Sequence, residues 1–376
     1  MNKPQNIAIV STNADKYSET FIHNHVKCLQ GNVHYLVDGY LPKMYSNDRG
    51  VTFSPFINKP KTKWYFIRKK KFVSEVVLKS AIENYLIENG IDVLLCEYGP
   101  SGVEMMEIAT KLSIPLVVHF HGYDAYRKDV LESYGVHYSE LFMRANKVIA
   151  VSKHMFQQLQ NLGCEASKLE LLIYGINNTI FFKWPQIVKK YTFVSCGRFV
   201  EKKHPLGIIQ SFLLVLKVIP DAKLLMIGDG ELLIQVKEFV NQNQISDSVK
   251  FTGAIHQTEI AKYFNESEIF IQHSITTSQN DREGTPLAII ESAACELPCV
   301  STYHTGISDF VIHQSTGLLV NEGDINTMAD CMIELARNKL KREKMGKTAA
   351  MRVISDYSLE NYISALQKIL FNVAIG

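Results

Sequence analysis

Short apolar runs recur along the chain, each followed by a polar loop and then by a stretch with apolar residues at helical spacing. In the first half the runs lie at 7–10, 33–37, 93–96, 116–120 and 148–151, with helix candidates at 73–89 and 101–112 between them. Runs that lack clean in-and-out alternation and are joined by helices predict a parallel sheet covered on both faces. Residues 171–178 read as one further strand with a turn. Regular pattern lapses over 181–190, where a linker is expected, and restarts at 191–195. Strands at 223–227, 269–272 and 317–320 follow, with helices at 205–218, 325–339 and 359–371. The expected organisation is α/β, with one Rossmann-like domain over 1–183, a second over 191–355, and a closing helix within 356–376.

The 376 residues suffice for two domains of ordinary size. At 46% hydrophobic and 21% charged, with a formal net charge of +2, the composition is that of a soluble globular protein and makes no global case for nucleic acid. No run approaches the ~18 apolar residues of a membrane-spanning helix, and the N-terminus lacks a signal-peptide pattern. Seven scattered cysteines, most in apolar strings, read as reduced thiols of a cytoplasmic protein. Cys295 and Cys299 have no second Cys or His pair at zinc spacing, so no metal is expected.

Ligands of parallel sheets bind beyond the carboxyl ends of the strands, and several such ends carry chemistry. The loop Tyr17-Ser-Glu-Thr20 offers the hydroxyls of Ser18 and Thr20; a helix cap at Ser18 is the plainer alternative. His119-Phe-His-Gly-Tyr-Asp124 ends the most apolar strand, with His119 and His121 on one side and Gly122 permitting a sharp turn; structural histidines are the alternative. Arg198 and Lys203 follow the first strand of the second half, where a planar fork and a point charge suit a diphosphate; taken singly, each reads equally as a surface cation. Gly228-Asp-Gly230 lacks the third glycine of a dinucleotide fingerprint and makes no case for NAD.

Asp281 to Pro298 reads as a loop feeding a helix. Thr285 is the expected N-cap and Pro286 the first helical residue. Glu283 then lies in the loop and Glu291 inside the helix, so both can face one cavity, with a helix N-terminus suited to an anion between them. Their spacing alone fits two solvated glutamates equally well. Between Lys59 and Lys71, seven cations surround Trp64, Tyr65 and Phe66. That mixture suits an anionic membrane surface, and a solvated loop is the alternative.

The order of these motifs resembles the retaining glycosyltransferases of family 4, which have the two-Rossmann GT-B fold. The resemblance spans almost the whole chain. It rests on Ser18-Glu-Thr-Phe-Ile22, His119 to Asp124, Val148 to Ser152, Gly197-Arg-Phe-Val-Glu-Lys-Lys203, Ile227-Gly-Asp-Gly230, Phe251-Thr-Gly253, Glu283-Gly-Thr-Pro through Glu291, and Thr305-Gly-Ile307. The Ser-Glu-Thr-Phe-Ile opening and the string from Ser274 to Pro286 look most like bacterial exopolysaccharide and lipopolysaccharide members.

The resemblance implies a donor that is a UDP- or GDP-sugar, no cofactor and no metal. Arg198 and Lys203 would neutralise the leaving diphosphate, and Glu283 would hold sugar hydroxyls. Glu291 would accept from the ribose, and the N–H groups of Gly284, Thr285 and Leu287 would cradle phosphate. Backbone groups of Gly253, Ala254 and Ile255 would read the base. His121 would sit near the reacting carbon, supporting positive charge through its ring or backbone. The acceptor would be a growing, lipid-linked glycan; a soluble small molecule, or a binding protein without turnover, are the alternatives. The last helix would cross back to the first domain. Three departures stand out: His204 where a glycine commonly follows the lysine, the polar Ser11 to Asp15 in place of a glycine-rich loop, and a long stretch from Thr276 to Asp281.

Overall fold

The apolar runs become strands buried on both sides. Ile7, Ala8, Ile9 and Val10 are fully buried in β1 (Asn6–Val10), as a central strand between two helical layers requires. In the computed structural model, which describes residues 5–14, 19–57, 75–185 and 187–375, β1 lies within an eight-stranded sheet. Its other strands are β2 (Asn32–Val37), β3 (Met44–Ser46), β4 (Ser54–Pro55), β5 (Val93–Glu97), β6 (Leu116–His119), β7 (Lys147–Ala150) and β8 (Leu169–Leu171), in the order β4-β3-β2-β1-β5-β6-β7-β8. Pairing is parallel from β2 to β8 and antiparallel at the β4-β3-β2 edge.

A second sheet follows: β9 (Tyr191–Cys196), β10 (Leu224–Ile227), β11 (Val249–Phe251), β12 (Ser267–Ile271), β13 (Cys299–Thr302) and β14 (Gly317–Val320), ordered β11-β10-β9-β12-β13-β14. All its pairings are parallel. Neighbouring residues of β9 face different cores, Phe193 packing with Phe212 and Met328 and Val194 with Ile290 and Phe310, which is the two-residue period of a strand covered on both faces. Strand order reverses between β1 and β5 in one sheet and between β9 and β12 in the other. Crevices at such reversals are where parallel sheets bind ligands.

The last helix, Leu359–Ile375, buries Tyr362, Ile363, Leu366 and Leu370 in the core of the first sheet. Gln5 Nε2 donates to Leu370 O at 3.2 Å, so the two ends of the described chain adjoin. An 18-residue helix, Lys339–Asp356, precedes it; its amphipathic stripe is diluted by lysines and arginines, which is why pattern reading passes over it. The strand read at 171–178 is instead β8 followed by irregular chain, and only Ile176 pairs further on, bridging to Ser358. Edge strands β3 and β4 are too short to carry a periodic signal. No described helix is long and apolar enough to cross a membrane. Ser18 and the basic cluster from Lys59 to Lys71 lie outside the described residues.

Candidate active site

Three strand-end loops of the second sheet are knitted together. Gly197 N–H donates to Ile227 O (3.0 Å), Phe199 N–H to Asp229 O (2.9 Å) and Gly228 N–H to Gly253 O (2.9 Å). A Cβ on Gly228 would lie 2.0 Å from Gly197 O, so this glycine serves loop packing. Arg198 and Lys203 line one small cavity with Ser195, Gly197 and Gln272. Arg198 is exposed, while Lys203 Nζ pairs with Glu283 Oε1 at 3.0 Å. Lys202 is directed elsewhere, to Asp281 Oδ1 at 3.0 Å, and ties down the stretch before Glu283.

Glu283 is buried. Burial alone would raise its carboxyl, but Lys203 and Lys202 overcome that and hold it at about 2. Its N–H donates to His304 Nε2 (3.1 Å), which puts the His304 proton on Nδ1, facing Glu322 Oε1 at 2.5 Å. Thr305 Oγ1 donates to Glu283 O at 2.8 Å. Eight residues on, Glu291 is 9% exposed in the helix Leu287–Ala294. Its carboxylate has no hydrogen-bond partner among the described residues, and burial pushes it up to about 7.

The loop after β6 meets this site from the first domain. A Cβ on Gly284 would stand 2.3 Å from His121 O, and one on Gly306 would stand 1.8 Å from Gly284 O. Three backbones are therefore layered where only glycine leaves room. Thr285 Oγ1 donates to Val151 O (2.5 Å), Asn280 Nδ2 to Tyr126 O (2.9 Å) and Lys128 N–H to Gln279 O (3.0 Å). The long stretch from Thr276 to Asp281 thus straps the second domain to the first.

Two family models tile the chain: Glycosyltransferase Family 4 matches residues 18–179 and Glycosyl transferases group 1 matches residues 176–352. The chain belongs to glycosyltransferase family 4. Among curated relatives, the amylovoran biosynthesis glycosyltransferase AmsK of Erwinia amylovora is 28% identical over 358 residues, covering 92% of this chain and 87% of the relative. The putative colanic acid biosynthesis glycosyltransferase WcaL of Escherichia coli is 26% identical over 278 residues, covering 72% and 68%. Among solved structures, HepE of Anabaena in complex with UDP and glucose superposes with a TM-score of 0.77 at 14% identity, covering 98% of this chain and 100% of that one. Sucrose-phosphate synthase of Thermosynechococcus elongatus gives 0.74 at 17% identity, covering 98% and 99%. The fold is GT-B.

In this glycosyltransferase the residues singled out by sequence divide into two groups. Arg198, Lys203, Glu283, Gly284, Glu291 and His121 converge on the crevice between the sheets, and Gly253, Ala254 and half-buried Ile255 follow β11 at its edge. Asp124 does not face the cleft. It is fully buried and accepts from the N–H groups of Gly122 (2.8 Å), His121 (3.0 Å) and Gly99 (3.0 Å), so its work is to shape the loop. Leu287 N–H is taken by Thr285 O at 3.0 Å and is withdrawn from any phosphate cradle, whereas Gly284 and Thr285 N–H groups make no hydrogen bond among the described residues. Thr285 is not the N-cap: Pro286 holds that position without a side-chain cap, because the Thr285 hydroxyl is committed to Val151. Thr20 opens the helix Thr20–Cys28, whose N-cap is Glu19. His204 adds no cation beside Arg198 and Lys203. Its backbone is left-handed (φ 41°), its ring packs toward His273 with centroids 5.0 Å apart, and burial lowers its pKa.

His121 is more enclosed than the sequence suggests. Its Nε2 faces Glu97 Oε2 at 2.7 Å, and its Nδ1 pairs with the Tyr174 hydroxyl. Both ring nitrogens are spent inside the protein. Glu97, Tyr174, His304 and Glu322 went unnoticed in sequence; their signal is a polar residue at the end of an apolar strand, which spacing does not separate from a solvated one. His25, Glu97 and His119 bring ligand atoms within 4.8 Å of one another, the composition of a metal site. The His25 and His119 rings stack at 23°, however, and His25 and His121 already occupy the Glu97 oxygens. The trio fits a hydrogen-bonded network better than a coordination shell.

Proposed function

We propose that the enzyme transfers a sugar from a nucleotide diphosphate donor to a growing glycan with retention of the donor's anomeric configuration. The observation that carries this reading is the pairing of Lys203 with buried Glu283 beside a backbone, Gly284, that touches His121 of the other domain. Arg198 and Lys203 neutralise the diphosphate as it leaves, a stabilisation that grows along the reaction coordinate. Glu283 holds sugar hydroxyls, the free N–H groups of Gly284 and Thr285 contribute to the phosphate cradle, and Glu291 accepts from the ribose. Gly253, Ala254 and Ile255 flank the base.

With no second carboxylate assigned as nucleophile, we favour attack on the face from which the diphosphate departs. The acceptor oxygen bonds to the anomeric carbon while the carbon–phosphate oxygen bond breaks, and the acceptor proton passes to the leaving phosphate. No metal is assigned to this step, since the cations are Arg198 and Lys203. UDP is the first donor base to test, because HepE was solved with UDP and glucose. A polysaccharide acceptor fits relatives named for amylovoran and colanic acid biosynthesis, and a lipid-linked one at the cytoplasmic face of a membrane is the form we favour. Transfer to a small molecule is the second reading, supported by the likeness to an N-acetyl-alpha-D-glucosaminyl L-malate synthase of Bacillus anthracis, 25% identical over 239 residues.

The test is a thermal-shift screen of UDP, GDP and their sugars, followed by turnover with the best donor and assignment of the product anomer by NMR. A stabilising ligand acts by mass action on the folded state. An inverted product would refute retention. Binding without transfer or slow donor hydrolysis would leave a nucleotide-sugar-binding protein.

A further inference from the structure

Around His121 lies a buried chain of polar groups drawn from five parts of the sequence. The Tyr362 hydroxyl, on the terminal helix, faces His25 Nε2 at 2.6 Å; His25 Nδ1 faces Glu97 Oε1 at 2.6 Å; and Glu97 Oε2 faces His121 Nε2 at 2.7 Å. Tyr174 closes the far end at His121 Nδ1. Glu97, His25 and His119 are fully buried.

Burial alone would raise the Glu97 carboxyl, but His25 and His121 overcome it and keep it well below the ordinary carboxylate range. An ionised carboxylate only accepts, so His25 donates from Nδ1 and His121 from Nε2. The remaining nitrogens face the hydroxyls of Tyr362 and Tyr174. Both nitrogens of His25 and of His121 have a partner, which fixes the orientation of each ring, while His119 Nδ1 stands 3.5 Å from Glu97 Oε2. His119 packs against the His25 and His121 rings, with centroids 5.5 and 4.4 Å away, and burial drives its pKa well below the ordinary value, so it brings no counter-charge. The Glu97 carboxylate thus stands one imidazole away from the cleft, behind the residue proposed to meet the donor sugar.

We infer that Glu97 is a positioning residue for the transfer reaction: it fixes the tautomer and orientation of His121, and through His25 and Tyr362 it makes the seating of the terminal helix a condition of that orientation. The inference rests on the proposed role of His121 at the reacting carbon. A fixed negative group at this place favours the transition state over the ground state, because the sugar is charged only in the former. It leaves nucleotide binding alone, because Arg198, Lys203 and Glu291 belong to the other domain.

The test uses the full-length enzyme with its donor. Glu97→Gln keeps the shape and removes the charge. We expect turnover to fall by roughly ten- to a hundredfold with donor KM and calorimetric UDP affinity within about twofold of wild type. Tyr362→Phe, which leaves the charge in place, is expected to lower turnover a few-fold with the same unchanged affinity. Nitrogen-15 spectra of the histidine side chains supply a readout that mere structural support does not move: wild type and Tyr362→Phe should show a His121 tautomer protonated at Nε2, and Glu97→Gln should not. Wild-type turnover in Glu97→Gln, or equal losses of turnover and UDP affinity, would overturn the inference. If Glu97→Gln does not fold, Tyr362→Phe decides: full turnover overturns the link to the terminal helix, and a selective loss of turnover upholds it. Failure of the underlying functional reading is distinguishable, since wild type would then neither bind UDP nor consume any donor.

Discussion

Glu291 offers the sharpest test of the site, because the cost of keeping it ionised can be worked out. Burial without a described hydrogen-bond partner raises its carboxyl from 4.5 to about 7. A carboxyl raised on folding contributes stability that is fully present below about pH 4.5 and is lost as the pH climbs through 7. At about 1.4 kcal/mol per unit, the loss approaches 3 kcal/mol by pH 8. Glu291→Gln preserves size and cannot ionise, so chemical unfolding of the ligand-free enzyme should find the variant close to wild type at pH 4.5 and about 3 kcal/mol more stable at pH 8. UDP should reverse the order, because the role proposed for the wild-type carboxylate is to accept from the ribose hydroxyls. Titration calorimetry should show wild-type UDP affinity rising with pH through 7 and that of Glu291→Gln staying flat. Parallel stability curves for the two proteins would refute the burial argument, and a pH-independent wild-type affinity would refute the ribose assignment.

Other perturbations separate charge from shape. Glu283→Gln should cut turnover at least tenfold in a donor-consumption assay while circular dichroism stays unchanged, since the size is kept while the proposed sugar contacts and the charge facing Lys203 are altered. Lys203→Met strands Glu283 in a buried position without its partner; we expect about 3 kcal/mol of destabilisation by urea unfolding and a loss of UDP affinity together. Gly284→Ala places a methyl 2.3 Å from His121 O, so turnover should collapse while UDP binding to the second domain survives in calorimetry. Activity should persist after chelation with excess EDTA, and a strict divalent requirement would count against the proposed chemistry.

The two sheets were legible because strands buried on both faces need apolar runs, and β1, β5, β6 and the centres of β9 and β12 have them. Arg198, Lys203, Glu283 and Glu291 stood out for a different reason: they lie in strand-end loops, or for Glu291 in the helix after one, within strings whose order is shared by a family. Pairings between distant positions were not. His25 meets Glu97 across 72 positions and Tyr362 across 337, and nothing local to any of the three announces the others. Asp124 shows the converse error. A carboxylate beside two histidines reads as chemistry, yet three backbone N–H groups consume it, and only the path of the loop reveals that. The Thr285 cap failed likewise, because a hydroxyl expected to serve its own helix is engaged by a carbonyl of the other domain.

The return of the terminal helix has a consequence for how the molecule comes into being. The second domain is an insertion: its strands from β9 to β14 are contiguous, whereas the first domain is assembled from both ends of the chain. During synthesis the second domain can therefore close on itself while the first still lacks Tyr362, Leu366 and Leu370. Until those residues emerge, His25 has no partner for its Nε2, and the surface they will cover stays open to water or to a chaperone. The enzyme's earliest-made domain is the last to be finished.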